Sequence, residues 1–269
     1  MGFNGCMTRD FVQRLHAREK LVGYWVVSDN PPATEEIALA GYDYVCLDTQ
    51  HGLIDYQAAL AGVMAAELGG STGVIRVPTN DAALIGKALD TGARAVIVPL
   101  VESGEDAARA ARACRYAPVG TRSYGPTRAR LRIGASPQDA NDHIACIVMI
   151  ETAEGLKNAA DISAAPGVDA VYIGPSDLSI SLTGGTPQHG WQLPEFREAL
   201  ATIRTTAHNA GKACGFHVTD GASAARALSD GFDFVSISND LSHILSFSRG
   251  ELEQARAAVA HMGTSQDHP

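Results

Sequence analysis

The feature of this sequence that most limits its fold is a regular alternation of short apolar segments with longer, alanine-rich ones. Eight apolar segments, rich in β-branched residues, recur along the chain, and each is bounded by glycine, proline or a polar cluster. We predict strands at Leu21–Val27, Tyr42–Leu47, Val74–Val77, Ala95–Leu100, Ile144–Ile150, Ala170–Ile173, Ala213–Phe216 and Phe234–Ile237. Strands that are apolar along their whole length are typical of a parallel sheet covered by helices on both faces.

The segments between these strands have the residue spacing of helices, and several end in a glycine that leads into a strand. The clearest predicted helices are Asn30–Gly41, Asp81–Gly92, Glu105–Tyr116 and Leu193–Gly211. Thr34 is the candidate N-cap of the first helix. We expect a left-handed glycine to end a helix at Gly41, Gly92, Gly211 and Gly231.

Eight strand–helix units in a chain of 269 residues predict one closed (β/α)8 barrel, or TIM barrel, rather than an open α/β sheet. The expected domain covers residues 1–262, and the polar residues 263–269 are expected to form a disordered tail. An open dinucleotide-binding fold is disfavoured because no GxGxxG follows the first strand, and the sequence contains no GxxxxGK[ST] phosphate loop.

Charge and hydropathy narrow the class of protein further. The chain carries 30 acidic residues against 21 Lys and Arg, and its net charge of −9 argues against nucleic-acid binding and against a membrane-surface role. No apolar run approaches a membrane span, and the first residues lack the apolar core of a secretion signal. The five cysteines form no CxxC pair. We therefore expect a cytoplasmic protein.

Polar residues follow most of the predicted strands, and this is where a (β/α)8 barrel carries its active site. The candidates at the strand ends are Asp48, His51, Arg76, Glu151, Asp177, His217, Asn239 and Asp240. Any one of these has an ordinary structural explanation, such as a helix N-cap, a buried ion pair or a hydrogen-bonded histidine. Their convergence on one rim of the barrel is the stronger argument, and it predicts a catalytic site.

The residue types at this rim indicate the chemistry. Two carboxylates, Glu151 and Asp177, suit an octahedral Mg²⁺ or Mn²⁺ that keeps positions for water and substrate, although either could instead pair with Arg76. His51 is the candidate general acid or base, and Arg76 can stabilise an oxyanion. The sequence places no lysine at these strand ends, so a Schiff-base aldolase is disfavoured.

Four segments of the chain resemble, in matching order, motifs of the HpcH/HpaI aldolase family. These segments are Tyr42–Gly52, Ile75–Pro78, Met149–Thr152 and Tyr172–Ser179, and the resemblance extends over roughly residues 20 to 245. The family comprises metal-dependent (class II) pyruvate aldolases such as 4-hydroxy-2-oxoheptanedioate aldolase. Membership implies a barrel of the phosphoenolpyruvate/pyruvate-binding type, assembled as a trimer or hexamer with C-terminal helices exchanged between subunits.

The resemblance also implies residue roles. Glu151 and Asp177 would bind the divalent metal, with Co²⁺ or Zn²⁺ as alternatives to Mg²⁺ or Mn²⁺, and the metal would chelate a 2-oxo acid. His51 would transfer a proton beside Asp48, Asp90 would raise the basicity of His51, and Arg76 would stabilise the enolate. Asp90 lies on a predicted helix, where the residues alone indicate a surface charge.

Substrate contacts are expected from Trp25, Met149, Gly174, Pro175, Ser176 and Asp177. The resemblance implies that backbone N–H groups of Ser176 and Asp177 hold the pyruvate carboxylate. Met149 stands where the family often has a glutamine, and His217 stands where small residues are more usual, so both positions bear on substrate choice. A thioether cannot replace the hydrogen bonds of an amide.

The expected reaction is the reversible cleavage of a 4-hydroxy-2-oxo acid into pyruvate, or a related 2-oxo acid, and an aldehyde, through an enolate at the metal. Alternatives on the same barrel are citryl-CoA or malyl-CoA cleavage, a citrate-forming condensation and oxaloacetate decarboxylation. The arginine-rich segment 118–143 would suit a larger anion, or it is a solvated loop or a subunit contact. A non-catalytic binding protein on a barrel scaffold is the third alternative.

Overall fold

The computed structural model describes residues 10–134, 136–185 and 193–264, and its centre is a closed barrel of eight parallel strands. Each strand pairs with its neighbours in chain order, and the eighth closes on the first. The strands are β1 (Leu21–Val26), β2 (Tyr44–Asp48), β3 (Thr72–Arg76), β4 (Ala95–Val98), β5 (Ala145–Ile150), β6 (Ala170–Ile173), β7 (Ala213–Val218) and β8 (Phe234–Ile237). The predicted barrel and all eight strands are confirmed, with small shifts at their ends.

Helices connect the strands and cover the outside of the barrel. They are α1 (Phe11–His16), α2 (Pro31–Leu39), α3 (Tyr56–Leu68), α4 (Ala82–Asp90), α5 (Gly104–Cys114), α6 (Ala129–Arg132), α7 (Pro137–Asp142), α8 (Ala153–Lys157), α9 (Ala159–Ala164), α10 (Pro175–Thr183), α11 (Pro194–Asn209), α12 (Gly221–Ser229) and α13 (Asp240–Thr264). The predicted cap of α2 is wrong: the side chain of Asn30 accepts the N–H of Ala33, and Thr34 lies inside the helix. The four predicted terminal glycines all have positive φ, between 73° and 102°.

Side chains alternate between the barrel interior and the layer beneath the helices, as the two-residue period of a strand requires. On β1, Leu21 and Trp25 point inward, whereas Tyr24 and Val26 join the core that the helices cover. Gly23 lies between the inward residues, and a Cβ there would come within 2.2 Å of the Tyr44 ring. The glycine therefore makes room for the tyrosine that fills the middle of the barrel.

The N-terminal end of the barrel is closed by α1. Its buried residues Phe11, Val12 and Leu15 pack into the same apolar cluster as the inward strand residues. The rings of Phe11 and Tyr44 lie 5.6 Å apart, centroid to centroid. Closure at this end leaves the opposite end, where the strands finish, as the opening of the barrel.

Aspartates at three helix-to-strand joints hold neighbouring strands together. Asp43 accepts the N–H of Val22 at 2.7 Å, Asp169 accepts that of Cys146 at 2.7 Å, and Asp233 accepts that of Cys214 at 2.9 Å. Asp233 and Asp169 are buried, and basic side chains surround them; Asp233, for example, bonds to His208 Nε2 at 2.8 Å. Each joint has the sequence Gly-x-Asp, at residues 41–43, 167–169 and 231–233, and the aspartate has the same hydrogen-bonding role in all three.

The arginine-rich segment 118–143 packs against the outside of the barrel and contains α6 and α7. Arg122 bonds to Asp90 at 2.7 Å, and Arg128 and Arg132 bond to Glu67 of α3 at 2.5 and 3.1 Å. The segment connects a helix to the following strand, so it lies at the N-terminal end of the barrel. Of the alternatives for this segment, the structure therefore contradicts the one in which these arginines face a substrate within their own chain.

The last helix, α13, begins at the strand-end rim and leaves the barrel. The carboxylate of Asp240 accepts the N–H of Val27 at 2.8 Å and that of Ser28 at 3.1 Å, which ties the first turn of α13 to the end of β1. The helix includes the first two residues of the predicted tail, and residues 265–269 of that tail lie outside the described residues. Within the part that is described, no helix is long and apolar enough to cross a membrane.

Candidate active site

A cavity of about 280 Å³ opens at the C-terminal ends of the strands. Its described lining is Trp25, Val27, Asp48, His51, Arg76, Met149, Glu151, Tyr172, Gly174, Pro175, Ser176, Asp177, His217 and Asn239. The residues predicted for the site line this cavity, with the exceptions of Asp90 and Asp240, and Asp240 instead binds the N–H groups of Val27 and Ser28. The strands bring them together because side chains at equivalent positions on neighbouring parallel strands face the same opening.

Asp48 and Arg76 form a buried ion pair at the floor of the cavity. They are direct partners in the register of β2 and β3. Arg76 Nε donates to Asp48 Oδ1 at 2.9 Å and Arg76 Nη2 donates to Oδ2 at 2.5 Å, which is the two-point geometry of a strong arginine–carboxylate pair. Trp25 Nε1 donates to Asp48 Oδ2 at 3.2 Å, and its ring lies 5.0 Å from the guanidinium. Arg76 is thus held rigidly.

The pKa of Asp48 lies below its usual range. Burial alone would raise this pKa, but the hydrogen bonds and charge of Arg76 outweigh burial, and the N–H of His51 and Trp25 Nε1 add to them. Asp48 therefore stays ionised at neutral pH. Its Oδ1 also accepts the backbone N–H groups of Gln50 at 3.0 Å and His51 at 3.2 Å. This turn carries the exposed His51 to the rim of the cavity.

Glu151 lies buried at the end of β5, opposite the ion pair. Its Oε1 accepts the N–H of Leu100 at 2.8 Å, and Leu100 adopts an unusual left-handed conformation (φ +53°). Gly174 leaves the space for Glu151, since a Cβ there would lie 2.3 Å from Glu151 Oε2. Asp177, in the first turn of α10, lines the cavity with Glu151 and interacts electrostatically with it.

The pKa of Glu151 is raised to about 7. Burial is the largest cause and the neighbouring carboxylate of Asp177 adds to it, against the lowering effect of the Leu100 N–H and Arg76. Two carboxylates that converge in a buried cavity repel each other, and a divalent cation between them would remove that repulsion. Oxygen donors suit Mg²⁺ or Mn²⁺. Among the described residues, no group of three or more His, Cys, Asp and Glu side chains is arranged to hold a metal. The pair thus fits a cation that takes its other ligands from water and substrate.

The sequence left open whether Arg76 pairs with Glu151 instead. In the structure the guanidinium of Arg76 hydrogen-bonds to Asp48, and Glu151 bonds to the Leu100 N–H. The register of β2 against β3 determines which carboxylate Arg76 pairs with, because it sets Asp48 directly beside Arg76. Glu151 is consequently available as a ligand.

Asp90 lies outside the cavity of its own chain. It is the last residue of α4, and α4 starts after the C-terminal end of β3 and runs back towards the N-terminal end of the barrel. There its Oδ1 accepts Arg122 Nη2 at 2.7 Å, and the Arg122 guanidinium stacks over Tyr116 at 4.6 Å from the ring centroid. The resemblance implied that Asp90 acts on His51, but within a single chain the two residues do not lie side by side.

Three residues of the site, Val27, Tyr172 and Leu100, were not predicted from the sequence. Tyr172 lines the cavity, and its ring stacks on Trp25 with centroids 5.8 Å apart. Counting inward positions back from Gly174 along β6 would have identified it. Leu100 contributes only its backbone N–H, for which the sequence carries no signal, because its role depends on a turn conformation.

Comparisons with known proteins show which proteins this chain resembles. Residues 21–246 match the family model described as HpcH/HpaI aldolase/citrate lyase. The chain is 37% identical over 241 residues to a hydroxypyruvate/pyruvate aldolase of Rhizorhabdus wittichii, covering 89% of this chain and 95% of the relative. It is 35% identical over 242 residues to a 5-keto-4-deoxy-D-glucarate aldolase of Klebsiella pneumoniae, covering 88% and 93%. A crystal structure from Burkholderia cenocepacia, of a protein of the same family description, aligns with a TM-score of 0.83 at 34% identity, covering 91% of this chain and 98% of the other.

Proposed function

The chain belongs to the HpcH/HpaI aldolase/citrate lyase family, and from that premise we propose that it is a divalent-metal-dependent pyruvate aldolase. Its reaction joins pyruvate, or a closely related 2-oxo acid, to an aldehyde and cleaves the resulting 4-hydroxy-2-oxo acid. The observation that carries the proposal is one cavity holding the Glu151–Asp177 carboxylate pair, the Asp48-bound Arg76 and His51. Each of these groups answers a separate requirement of the reaction.

Glu151 and Asp177 are the residues that would hold the cation. When bound, a divalent cation supplies the positive charge that polarises a 2-oxo group and lowers the cost of enolate formation. At the N-terminal turn of α10, the backbone N–H groups of Ser176 and Asp177 are positioned to bind the substrate carboxylate. The substrate is thereby oriented with its 2-oxo group towards Arg76.

Arg76 stabilises the negative charge that develops on the 2-oxo oxygen. Asp48 accepts hydrogen bonds from Nε and Nη2, so the remaining N–H groups of the guanidinium are free of that carboxylate and held in a fixed plane. A donor that is already oriented needs no rearrangement as charge develops, which is the main advantage of a preorganised site. Trp25 and Met149, both buried, restrict water around this oxygen.

His51 moves the proton. In the cleavage direction it accepts the proton of the 4-hydroxyl group, directly or through a water molecule, and the bond between C3 and C4 breaks. The aldehyde leaves, the electron pair remains on the enolate, and a proton added at C3 completes pyruvate. The synthetic direction reverses each step. An imidazole suits this task because its ordinary pKa is close to neutral pH.

The metal requirement is tested by binding as well as by activity. We expect Glu151→Gln to weaken Mn²⁺ binding about tenfold or more, because the site loses one of two anionic ligands. Glu154→Gln is the matched control, since Glu154 is exposed and bonds to Asn158 and Lys157. Titration of stripped protein with Mn²⁺ measures both. The proposal is wrong if Glu151→Gln binds Mn²⁺ as tightly as the parent protein.

Activity is tested first on half of the reaction. Metal-loaded protein should exchange the methyl protons of pyruvate with D₂O, followed by NMR, and stripped protein should not. This measurement needs no aldehyde, so it is independent of acceptor choice. Undiminished exchange in stripped protein would contradict metal dependence, and no exchange under any loading would contradict the aldolase itself.

We also propose that the chain assembles through α13 as a trimer or hexamer with exchanged helices. The compartment that we propose for it is the reducing cytoplasm. The support for assembly is a set of exposed apolar side chains on α13, among them Ile244 (58% exposed) and Phe247 (72%). The support for the compartment is that the four described cysteines are buried free thiols. Phe247→Glu should lower the mass measured by light scattering, whereas Ser246→Glu should not. A monomeric parent protein would contradict the assembly.

A further inference from the structure

Leu100, in the loop between β4 and α5, has a backbone conformation that leucine rarely adopts. Its φ is +53°, in the left-handed region, where the Cβ of any residue other than glycine comes too close to the backbone. Packing of the side chain does not explain this conformation, because that side chain is 52% exposed. A strained residue persists only where its surroundings hold it, so the explanation lies in the contacts of the backbone around Leu100.

The residues after Leu100 are tied to the end of β5. The N–H of Val101 donates to the carbonyl of Met149 at 3.1 Å, and Val101 is buried. The carboxylate of Glu102 accepts a hydrogen bond from Thr152 Oγ1 at 2.8 Å. These contacts fix the chain after Leu100, and β4 fixes it before. The rotation at Leu100 therefore decides where its own N–H points.

That N–H points at Glu151, one of the two carboxylates of the metal pair. It donates to Glu151 Oε1 at 2.8 Å, and a hydrogen bond to an ionised acceptor is among the strong ones. An ordinary right-handed φ near −63° would turn the peptide plane that carries this N–H by about 115° and take the donor away from Glu151. The left-handed conformation is therefore the one that brings the N–H to Oε1.

A carboxylate with one oxygen held in this way is fixed in orientation. The other oxygen of Glu151, Oε2, lies against Gly174, where an added Cβ would be only 2.3 Å away. Gly174 and Asp177 both line the cavity that Glu151 enters. Groups that hold a metal ligand without touching the metal matter for binding, and their loss typically weakens metal affinity by about 10- to 100-fold.

We propose that Leu100 is a positioning residue for the metal site, and that its left-handed backbone, rather than its side chain, orients Glu151 for the cation. The inference rests on the proposed aldolase function, because it concerns the same carboxylate pair, and extends it to a residue of the loop between β4 and α5. Mn²⁺ affinity should then follow the left-handed preference of the residue at position 100 and not the size of its side chain.

Two substitutions of Leu100 separate backbone preference from side-chain size. Leu100→Ile keeps the number of side-chain atoms but moves the branch point to Cβ, which strongly disfavours a positive φ, whereas Leu100→Gly removes the side chain and adopts that φ freely. In titrations of stripped protein, Leu100→Ile should bind Mn²⁺ about tenfold more weakly than the parent and than Leu100→Gly. Leu131→Ile, at an exposed leucine of α6, is the matched control and should keep the parent Kd.

This order is the reverse of what a packing role for the side chain predicts, since packing would make Leu100→Gly the weaker binder. Parent-like affinity in Leu100→Ile would overturn the inference, whatever the melting temperature of that variant. If Leu100→Ile does not fold, Leu100→Gly decides alone, and a tenfold loss of affinity in it would overturn the inference. Glu151→Gln separates the two proposals. If it binds Mn²⁺ like the parent, both fail, whereas a Glu151-dependent affinity that Leu100→Ile leaves unchanged refutes this inference alone.

Discussion

The Asp48–Arg76 pair can be tested by replacing Asp48 with asparagine, which keeps the shape of the side chain and removes its charge. Asp48 Oδ2 accepts from Arg76 Nη2 and Trp25 Nε1, so an amide nitrogen at that position would face two donors. Turned the other way, the nitrogen would face Arg76 Nε and the N–H groups of Gln50 and His51. In either orientation a nearly buried guanidinium loses its counter-charge.

The expected loss of folding stability in Asp48→Asn follows from the burial of Asp48 and Arg76. The side chain of Arg76 is 11% exposed and that of Asp48 is 2% exposed. Removing one partner of a buried ion pair costs about 3–5 kcal/mol, and an asparagine that keeps one acceptor places this change near the lower end, at about 3 kcal/mol. For a domain of this size the melting temperature should fall by about 6–12 °C. Pyruvate exchange should fall as well, because both Arg76 and the His51 turn lose their anchor.

Denaturant unfolding of metal-free protein measures the free energy difference, with Asp55→Asn as control. Asp55 follows the same strand, is exposed, and caps α3 by accepting the N–H of Ala58, a role that asparagine fills equally well. The control should therefore change stability by less than about 0.5 kcal/mol. A loss below about 1 kcal/mol in Asp48→Asn would refute the assigned cost of the buried pair.

The pH dependence gives the same variant a second, independent readout. Because the pKa of Asp48 is lower in the folded protein than the value near 3.9 expected in the unfolded chain, its ionised form stabilises the fold above that value. The stabilisation is lost as pH falls through the folded pKa. The difference between parent and Asp48→Asn should therefore be constant between about pH 5 and 8 and shrink below about pH 4. A difference that grows in acid would contradict the lowered pKa.

Three further predictions concern the metal pair and the closed end of the barrel. Gly174→Ala should weaken Mn²⁺ binding about tenfold in a titration, because the added Cβ would lie 2.3 Å from Glu151 Oε2 and displace that carboxylate. An unchanged Mn²⁺ affinity would contradict the close approach of Gly174 to Glu151. A concentration of Mn²⁺ about 100 times its Kd should raise the free energy of unfolding by about 2.7 kcal/mol in the parent, and markedly less at the same concentration in Glu151→Gln; equal stabilisation of both in thermal scans would point to a different metal site. Asp169→Asn should lower the free energy of unfolding by about 3 kcal/mol, because Asp169 bonds to Arg115 at 2.6 Å and to His16 at 2.9 Å, at the end of the barrel away from the cavity. Pyruvate exchange below the melting temperature should remain, and its loss would contradict a purely structural role for Asp169.

Much of the fold and of the rim was predictable because the signals are local. A strand that is apolar along its length, followed by a helix that ends in glycine, can be identified within about 25 residues, and eight repeats leave the closed barrel as the natural arrangement. The rule that parallel strands present their C-terminal ends at one opening then selects Asp48, Arg76, Glu151 and Asp177 without any knowledge of pairing. All four line the cavity.

The tertiary structure decided which of these residues contact one another. Whether Arg76 pairs with Asp48 or Glu151 depends on the register of β2 against β3, and no local pattern encodes that register. Asp90 was associated with His51 by motif alone, but the direction of α4 carries it to the opposite end of the barrel, where it meets Arg122. A second cavity, of about 370 Å³ and next to the catalytic one, likewise exists only because distant segments that include α10, α11 and β7 pack together. Sequence patterns report the burial and backbone preference of each segment, whereas contacts between distant segments arise from packing that only the closed barrel defines.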